Sequence, residues 1–218
     1  NIKDRKKDTK EFRKVKRYDY SLDEIFKEFD QNIDLIKQKF EVTIQLKNAG
    51  DQSTAKDIYR FQIVFLEGAL DYFLHRLGMY AMKQMYEGSW NKSTGYRNIK
   101  VPINDVIDAI QHPEKTKWVD SAIISYHSSR TYMSPNGIKE LLKLIGQDFF
   151  DEISKELSPE IELETILKKI FDRRNRIVHQ LDCDHKTGLP TDIQKSDVER
   201  YIAAIEQFVK KLYDKLNK

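Results

Sequence analysis

The chain has 218 residues, of which 39% are hydrophobic and 33% charged, a balance typical of a globular protein with polar helical surfaces. Eight glycines and five prolines are too few for a turn-rich β protein, and the single cysteine, Cys183, excludes an internal disulfide framework and fits a reducing, cytoplasmic setting. The most apolar segment, residues 61–82, contains four charged or titratable residues, so it predicts a buried helix and no membrane span.

The N-terminal segment carries the positive charge of the chain. Residues 1–17 contain nine Lys or Arg and three Asp or Glu, whereas the net charge of the whole chain is only +3. We therefore interpret residues 1–19 as a basic extension in front of a single domain at 20–218. Such an extension can attract nucleic acid by releasing counterions, or it can be a solvated arm, and the sequence leaves both interpretations open.

Two long helices are predicted first. Ser21 and Glu24 have the spacing of a capping box, and apolar residues recur every three to four positions over 22–46, which predicts an amphipathic helix. A second helix is expected over 53–87, with Gly88 as its stop. Its apolar positions cover a broad face, which indicates burial against more than one partner.

Shorter elements are expected in the middle of the chain. Residues 89–100 are polar and are predicted to form an exposed loop. Pro102 suits the first turn of one helix, and Ser134 followed by Pro135 opens another. The predicted short helices cover residues 101–111, 118–126, 135–145 and 149–157.

The last two helices are again predicted to be long. Ser158 followed by Pro159 is a start signal for the first of them. A polar loop follows at 182–195, and Ser196 with Glu199 repeats the capping-box spacing before the final helix. With no convincing strand, the sequence predicts an all-α bundle of long antiparallel helices with extra short helices, in which these last two helices pair.

The most informative run is Arg173-Arg174-Asn175-Arg176-Ile177-Val178-His179, near the end of the predicted penultimate helix. With the polar loop and capped helix after it, this run resembles the catalytic motif of the HEPN superfamily, and within it the RiboL-PSP-HEPN-like domains. The apolar run at 65–74 is similar to the second helix of that group. The resemblance covers residues 57–216, apart from 89–157.

The resemblance implies an endoribonuclease that uses neither metal nor cofactor. A ribose 2′-hydroxyl attacks the neighbouring phosphorus and leaves a 2′,3′-cyclic phosphate and a 5′-hydroxyl. A guanidinium matches the phosphoryl oxygens, so Arg174 is the expected transition-state stabiliser, and His179 is the expected acid and base. Asn175, one turn before His179, is expected to orient the imidazole. RNA is the implied partner, in prokaryotic defence, stress response or toxin action.

The spacing of the motif sets a geometric constraint. Five helical residues rotate the chain by about 500°, so Arg174 and His179 point about 140° apart on a straight helix. Either the helix frays at His179, or a second copy of the motif faces the first, and the resemblance implies the second solution, a homodimer with a composite active site. Arg173 and Arg176 are expected to hold RNA phosphates, and Asp182 is a candidate orienting group for His179.

Other interpretations of the motif stay open. A helix-terminal Arg or His can serve only the last carbonyls and the helix dipole. The chain would then be a non-catalytic HEPN module that binds RNA, a nucleotide or a partner protein, or a plain helical oligomerisation domain. Leu181 stands where one HEPN toxin subgroup carries a tyrosine, which argues against the nucleotidyltransferase antitoxin of that subgroup and leaves another antitoxin or regulatory protein as a candidate partner.

Two further groups of residues have alternative interpretations. Residues 182–185 include Asp, Cys and His, but a second ligand group at a known spacing is missing, so no metal site is predicted. Several aromatic side chains are open to base stacking or to core and dimer packing. They are Tyr72, Tyr80, Tyr86 and Trp90.

Overall fold

The computed structural model describes residues 20–112 and 117–217. This part of the chain consists of helices joined by loops, with one isolated bridge between Cys183 and Pro190 as its only β pairing, so the predicted all-α class is confirmed. The helices are α1 (Leu22–Asn48), α2 (Gln52–Glu87), α3 (Thr94–Arg97), α4 (Ile103–Gln111), α5 (Lys117–Ser128), α6 (Pro135–Leu144), α7 (Phe150–Glu156), α8 (Leu163–Gln180) and α9 (Lys195–Leu216).

Helices α1 and α2 form an antiparallel hairpin with the most extensive helix packing in the fold. The Gln62 side chain donates from Nε2 to the Ile36 carbonyl at 2.8 Å, and the rings of Phe29 and Phe73 lie 5.3 Å apart, so earlier residues of α1 face later residues of α2. The predicted capping box at the start of α1 is present, because Ser21 Oγ accepts from the amide of residue 24 at 3.1 Å.

Helix α2 lies at the centre of the bundle. It packs against α1, α5, α6, α8 and α9, which explains why its apolar face is broad and confirms burial against several partners. At Gly78 the approach is so close that an added Cβ would lie 2.4 Å from Cε1 of His127 and 2.9 Å from Cδ1 of Leu141. Packing therefore favours glycine there, because a larger residue would force these two side chains to shift, although glycine weakens a helix elsewhere.

The prediction for the middle of the chain was wrong at one segment. Residues 89–100 are not a simple exposed loop, because Ser93 caps the short helix α3 and its hydroxyl bonds to the carbonyl of Leu144 at the end of α6. Trp90 and Tyr96 are half-buried and pack on the core. The adjacent α4 has the opposite character, since it buries none of its side chains and leaves Ile110 75% exposed.

Two predicted helix starts also differ from the structure. Ser158 and Pro159 do not open α8: the amide of Ile161 bonds to the Ser158 carbonyl at 2.8 Å, which forms a turn and delays the helix to Leu163, a fully buried residue. Helix α9 begins at Lys195, one residue before Ser196, because the Asp197 carboxylate accepts from the amide of residue 194. No described helix combines the length and apolarity that a bilayer crossing requires.

Candidate functional site

The last two turns of α8 present the motif. The helix is regular through His179 and ends at Gln180, where Leu181 adopts a left-handed conformation with φ of 53° and donates its amide to the Arg176 carbonyl. The amide of Asp182 bonds to the same carbonyl at 3.0 Å. Fraying at His179, one of the two expected ways to align it with Arg174, therefore does not occur in this structure.

A buried carboxyl group from α2 anchors Arg174. Its Nε lies 3.2 Å from Oε2 of Glu67, whose side chain is 1% exposed. Its Nη1 donates to the side-chain oxygen of Asn175 at 3.1 Å. The Arg174 side chain is still 25% exposed, so the guanidinium is fixed to the core of the bundle while it remains accessible at the surface.

The environment of Glu67 favours the neutral form of its carboxyl group. Burial, opposed by the attraction of Arg174 and assisted by Asp71 one turn away, raises its pKa to about 8. Within residues 20–112 and 117–217, neither carboxylate oxygen accepts a hydrogen bond of good geometry. Because the charged form lacks such donors, the proximity of one guanidinium does not compensate for its desolvation.

The expected partners of His179 are arranged differently. The imidazole is exposed at the end of α8 and has no hydrogen-bond partner among the described residues. Asn175 lies on its face of the helix, but the Asn175 oxygen accepts from Arg174. The structure thus links Asn175 to the guanidinium and leaves both ring nitrogens of His179 accessible to a ligand. Arg176 is also exposed, next to the motif.

Arg173 and Asp182 form a clasp that holds the loop after α8. Asp182 is fully buried, and its Oδ2 accepts from Arg173 at 2.6 Å and from Arg60 of α2 at 2.9 Å. Both arginines also donate to the carbonyl of Thr191, at 3.1 and 2.8 Å, and Arg173 donates to that of Asp192 at 2.9 Å. Arg173 and Asp182 therefore hold this loop, and the phosphate-binding role expected for Arg173 and the imidazole-orienting role expected for Asp182 stay predictions.

An open groove of about 610 Å³ runs between α1 and α2 beside Arg174, and we call it the α1–α2 groove. Three large apolar side chains on its walls are exposed: Leu35 by 55%, Phe65 by 65% and Tyr72 by 46%. Lys39 and Arg174 are the charged residues of its described lining. Exposed apolar surface of this kind is typical of interaction sites.

Sequence reasoning missed Glu67 as a member of the site. Its only signal was an acidic residue inside an otherwise apolar helical run, and that signal shows burial without identifying a partner more than a hundred positions away. Arg60, the second arginine of the clasp, was missed for the same reason. Their pairing with the motif region depends on how α8 packs across α2.

Residues 182–185 do not converge on a metal site. Asp184 instead accepts from the amides of Lys186 and Thr187 at 3.0 and 2.9 Å, which stabilises the turn that it begins. In the part of the chain that the structure describes, no three His, Cys, Asp or Glu side chains are grouped to hold a metal ion.

Comparison with known proteins gives one match. The family model described as RiboL-PSP-HEPN matches residues 20–218, nearly the whole chain. No curated protein and no solved structure matches.

Proposed function

The chain belongs to the RiboL-PSP-HEPN family, and from that premise we propose that it is an endoribonuclease that works without a metal ion. Membership of this family is compatible with a nuclease or another RNA-related function. The finer proposal is cleavage by attack of a ribose 2′-hydroxyl on the adjacent phosphorus. One observation carries it: an arginine anchored by a buried carboxyl group and an unengaged histidine lie on the same helix end.

Arg174 is suited to stabilise the phosphoryl oxygens. A guanidinium paired with a fully ionised carboxylate loses much of its field, but burial raises the pKa of Glu67 to about 8, so at neutral pH most of the positive charge of Arg174 is not neutralised. The Glu67 carboxyl group still lies 3.2 Å from Nε of Arg174. Fixed positive charge near developing negative charge is the arrangement that lowers the barrier of phosphoryl transfer.

His179 completes the proposed chemistry. Its imidazole accepts the proton of the 2′-hydroxyl while the 2′ oxygen bonds to phosphorus, and a proton returns to the departing 5′ oxygen as the P–O5′ bond breaks. The products are a 2′,3′-cyclic phosphate and a 5′-hydroxyl. Arg176, exposed beside these two residues, is the proposed contact for a neighbouring phosphate.

The rigid end of α8 favours a composite site in a homodimer. Because the helix is intact through His179, the angular separation of about 140° from Arg174 persists within one chain. A second copy can supply the missing group, and the exposed apolar wall of the α1–α2 groove beside Arg174 offers a surface for it. Val178 and Leu181, near the end of α8, are a further pair of exposed apolar side chains, at 45% and 79%.

The test is cleavage of a defined RNA by the full chain in EDTA, with the 5′ ends of the fragments identified by labelling. Arg174→Ala and His179→Ala should each lower the rate by about 10²-fold or more without loss of helicity. Lys168→Ala, a matched loss of charge on the exposed side of α8, should leave it unchanged. Undiminished cleavage by both site variants would refute the assignment, and binding without cleavage would favour a non-catalytic module.

A mixing experiment tests the composite site. If Arg174 of one chain works with His179 of its partner, a heterodimer of the Arg174→Ala and His179→Ala chains retains one complete site of two. Random exchange then restores up to about a quarter of the wild-type rate, since half of the dimers are mixed. A mixture as inactive as its components would show that both groups act within one chain. If the chain acts as a toxin, its expression should inhibit growth, and expression of a double variant that carries both Arg174→Ala and His179→Ala should not.

A further inference from the structure

A second cavity, of about 770 Å³, opens between residues 98–102 and α5. Its size falls within the range of roughly 300–1,000 Å³ that small-molecule sites occupy. It shares no lining residue with α8 or with the α1–α2 groove, so it is separate from the proposed catalytic site. We call it the α5 cavity.

The charge of the α5 cavity is positive and uncompensated. Lys100 and Arg130 line it, and its lining includes no Asp or Glu. Neither cation forms an ion pair with a carboxylate among the described residues. Two such cations on one concave surface attract an anion, and an arginine fork matches phosphate oxygens in particular.

The remaining lining suits a flat ring. The guanidinium carbon of Arg130 lies 3.7 Å from the ring centroid of Tyr126, so an aromatic ring and a guanidinium already stack at one side of the cavity. Apolar side chains line it as well, together with the polar side chains of Asn98 and Ser125. The apolar members are Ile99, Val101, Pro102 and Ala122. Stacking surfaces with a few polar groups hold nucleobases.

The Arg130 side of the cavity is fixed before any ligand binds. The carbonyl of Arg130 lies 3.1 Å from Nε2 of His75, and Asp71 accepts from the amide of Tyr132 at 2.6 Å, so α2 holds the segment after α5 at two points. Nη1 of Arg130 also donates to the carbonyl of Tyr126 at 2.5 Å. A site of this kind loses little conformational freedom when it binds.

From these observations we infer that the α5 cavity binds a nucleotide, with Lys100 and Arg130 on its phosphate and the Tyr126 side of the cavity against its base. The nucleotide is either free in solution or one unit of an RNA strand, and both sources present the same chemistry. The inference does not depend on the proposed cleavage activity, because none of these residues belongs to the catalytic motif.

The test is calorimetric titration of the full chain with AMP. We expect saturable binding in the micromolar to submillimolar range, and inorganic phosphate, which lacks a base, should bind at least about tenfold more weakly. Lys100→Gln and Arg130→Gln should each weaken AMP binding about tenfold or more. Lys27→Gln removes an exposed charge on α1, outside the cavity, and should change nothing. Two results would overturn the inference. One is no heat of binding with 2 mM AMP, a concentration on the order of ten times a submillimolar Kd. The other is an affinity for AMP that neither cavity variant changes.

A second measurement identifies the source of the nucleotide. Fluorescence anisotropy of a labelled ten-nucleotide RNA is measured on the His179→Ala chain, which should not cut it, with and without Arg130→Gln. Weaker RNA binding and competition by AMP assign the cavity to a nucleotide of RNA, whereas unchanged RNA binding assigns it to a free nucleotide. RNA cleavage without AMP binding would overturn this inference alone, and AMP binding without cleavage would overturn the proposed function alone.

Discussion

Glu67 should make the folding stability of the protein depend on pH in a distinctive direction. Burial raises the pKa of this carboxyl group from 4.5 to about 8, so the folded chain binds the proton more tightly than the unfolded chain does. The resulting stabilisation is fully present below about pH 4.5 and is lost as the pH rises through about 8. At about 1.4 kcal/mol per pH unit, the whole interval corresponds to roughly 3 to 5 kcal/mol.

The substitution Glu67→Gln isolates this effect. Glutamine keeps the shape of the neutral acid and still offers Arg174 an oxygen, but it cannot ionise. The free energy of unfolding of the wild type minus that of the variant should therefore decrease by roughly 3 to 5 kcal/mol between pH 5 and pH 9. Urea unfolding followed by circular dichroism at each pH gives this difference directly.

Glu160 provides a matched control for this substitution. Glu160→Gln alters an exposed carboxyl group, and its difference curve should be flat because an exposed side chain gains little from folding. A flat curve for Glu67→Gln would show that burial does not dominate at this site. A difference that grows with pH would show that the ion pair with Arg174 outweighs desolvation. Glu67 would then be ionised at neutral pH and would neutralise most of the charge of Arg174.

Three further substitutions test the packing and the assembly. Phe65→Asp places a charge on the exposed wall of the α1–α2 groove and should weaken self-association by roughly 3 to 6 kcal/mol, since each phenylalanine contributes once per chain. Ile110→Asp changes a side chain of α4 that is 75% exposed and should leave self-association unchanged, so equal dissociation of the two variants in analytical ultracentrifugation would reject this interface. Asp182→Asn leaves two arginines without their buried carboxylate and should lower the free energy of unfolding in urea by about 3 to 5 kcal/mol. Asp172→Asn, a change at an exposed side chain, should leave the free energy of unfolding unchanged. Gly78→Ala forces a methyl group against α5 and α6 and should lower the free energy of unfolding by about 1 to 3 kcal/mol in the same assay. An unchanged free energy of unfolding would show that these helices can move apart without loss of stability.

The sequence predicted the helices better than the tertiary contacts of the site. The capping box at Ser21 and the stop at Gly88 are local, because the residues that make each hydrogen bond lie within a few positions. The predicted helix start at Ser158 was wrong for a reason that lies in the tertiary structure, because the turn after Ser158 allows Leu163 to be buried as the first residue of α8. A strong local signal was overridden by burial.

The prediction for Asp182 shows where local geometry stops being informative. Three residues after His179, it would lie near the imidazole if the helix continued. The helix ends at Gln180, and two successive residues with positive φ, Leu181 and Asp182, reverse the chain and turn the carboxylate toward Arg173. Non-glycine residues adopt this conformation only when the surroundings favour it, and here the two buried guanidinium contacts do so.

The two arginines that precede Asn175 therefore differ in role, although both have a buried acidic partner, because Asp182 contacts two guanidinium groups and Glu67 only one among the described residues. Arg173 contacts a fully buried aspartate whose carboxylate, among the described residues, accepts hydrogen bonds only from guanidinium groups, and this contact holds the loop after α8. Arg174 meets Glu67, for which burial disfavours the charge, so that its own charge stays available at the surface. These adjacent residues of α8 thus have different electrostatic environments, because Asp182 of the following loop contacts one and Glu67 of α2 contacts the other. A change at Glu67 should act on Arg174 alone, and one at Arg60 on the clasp alone.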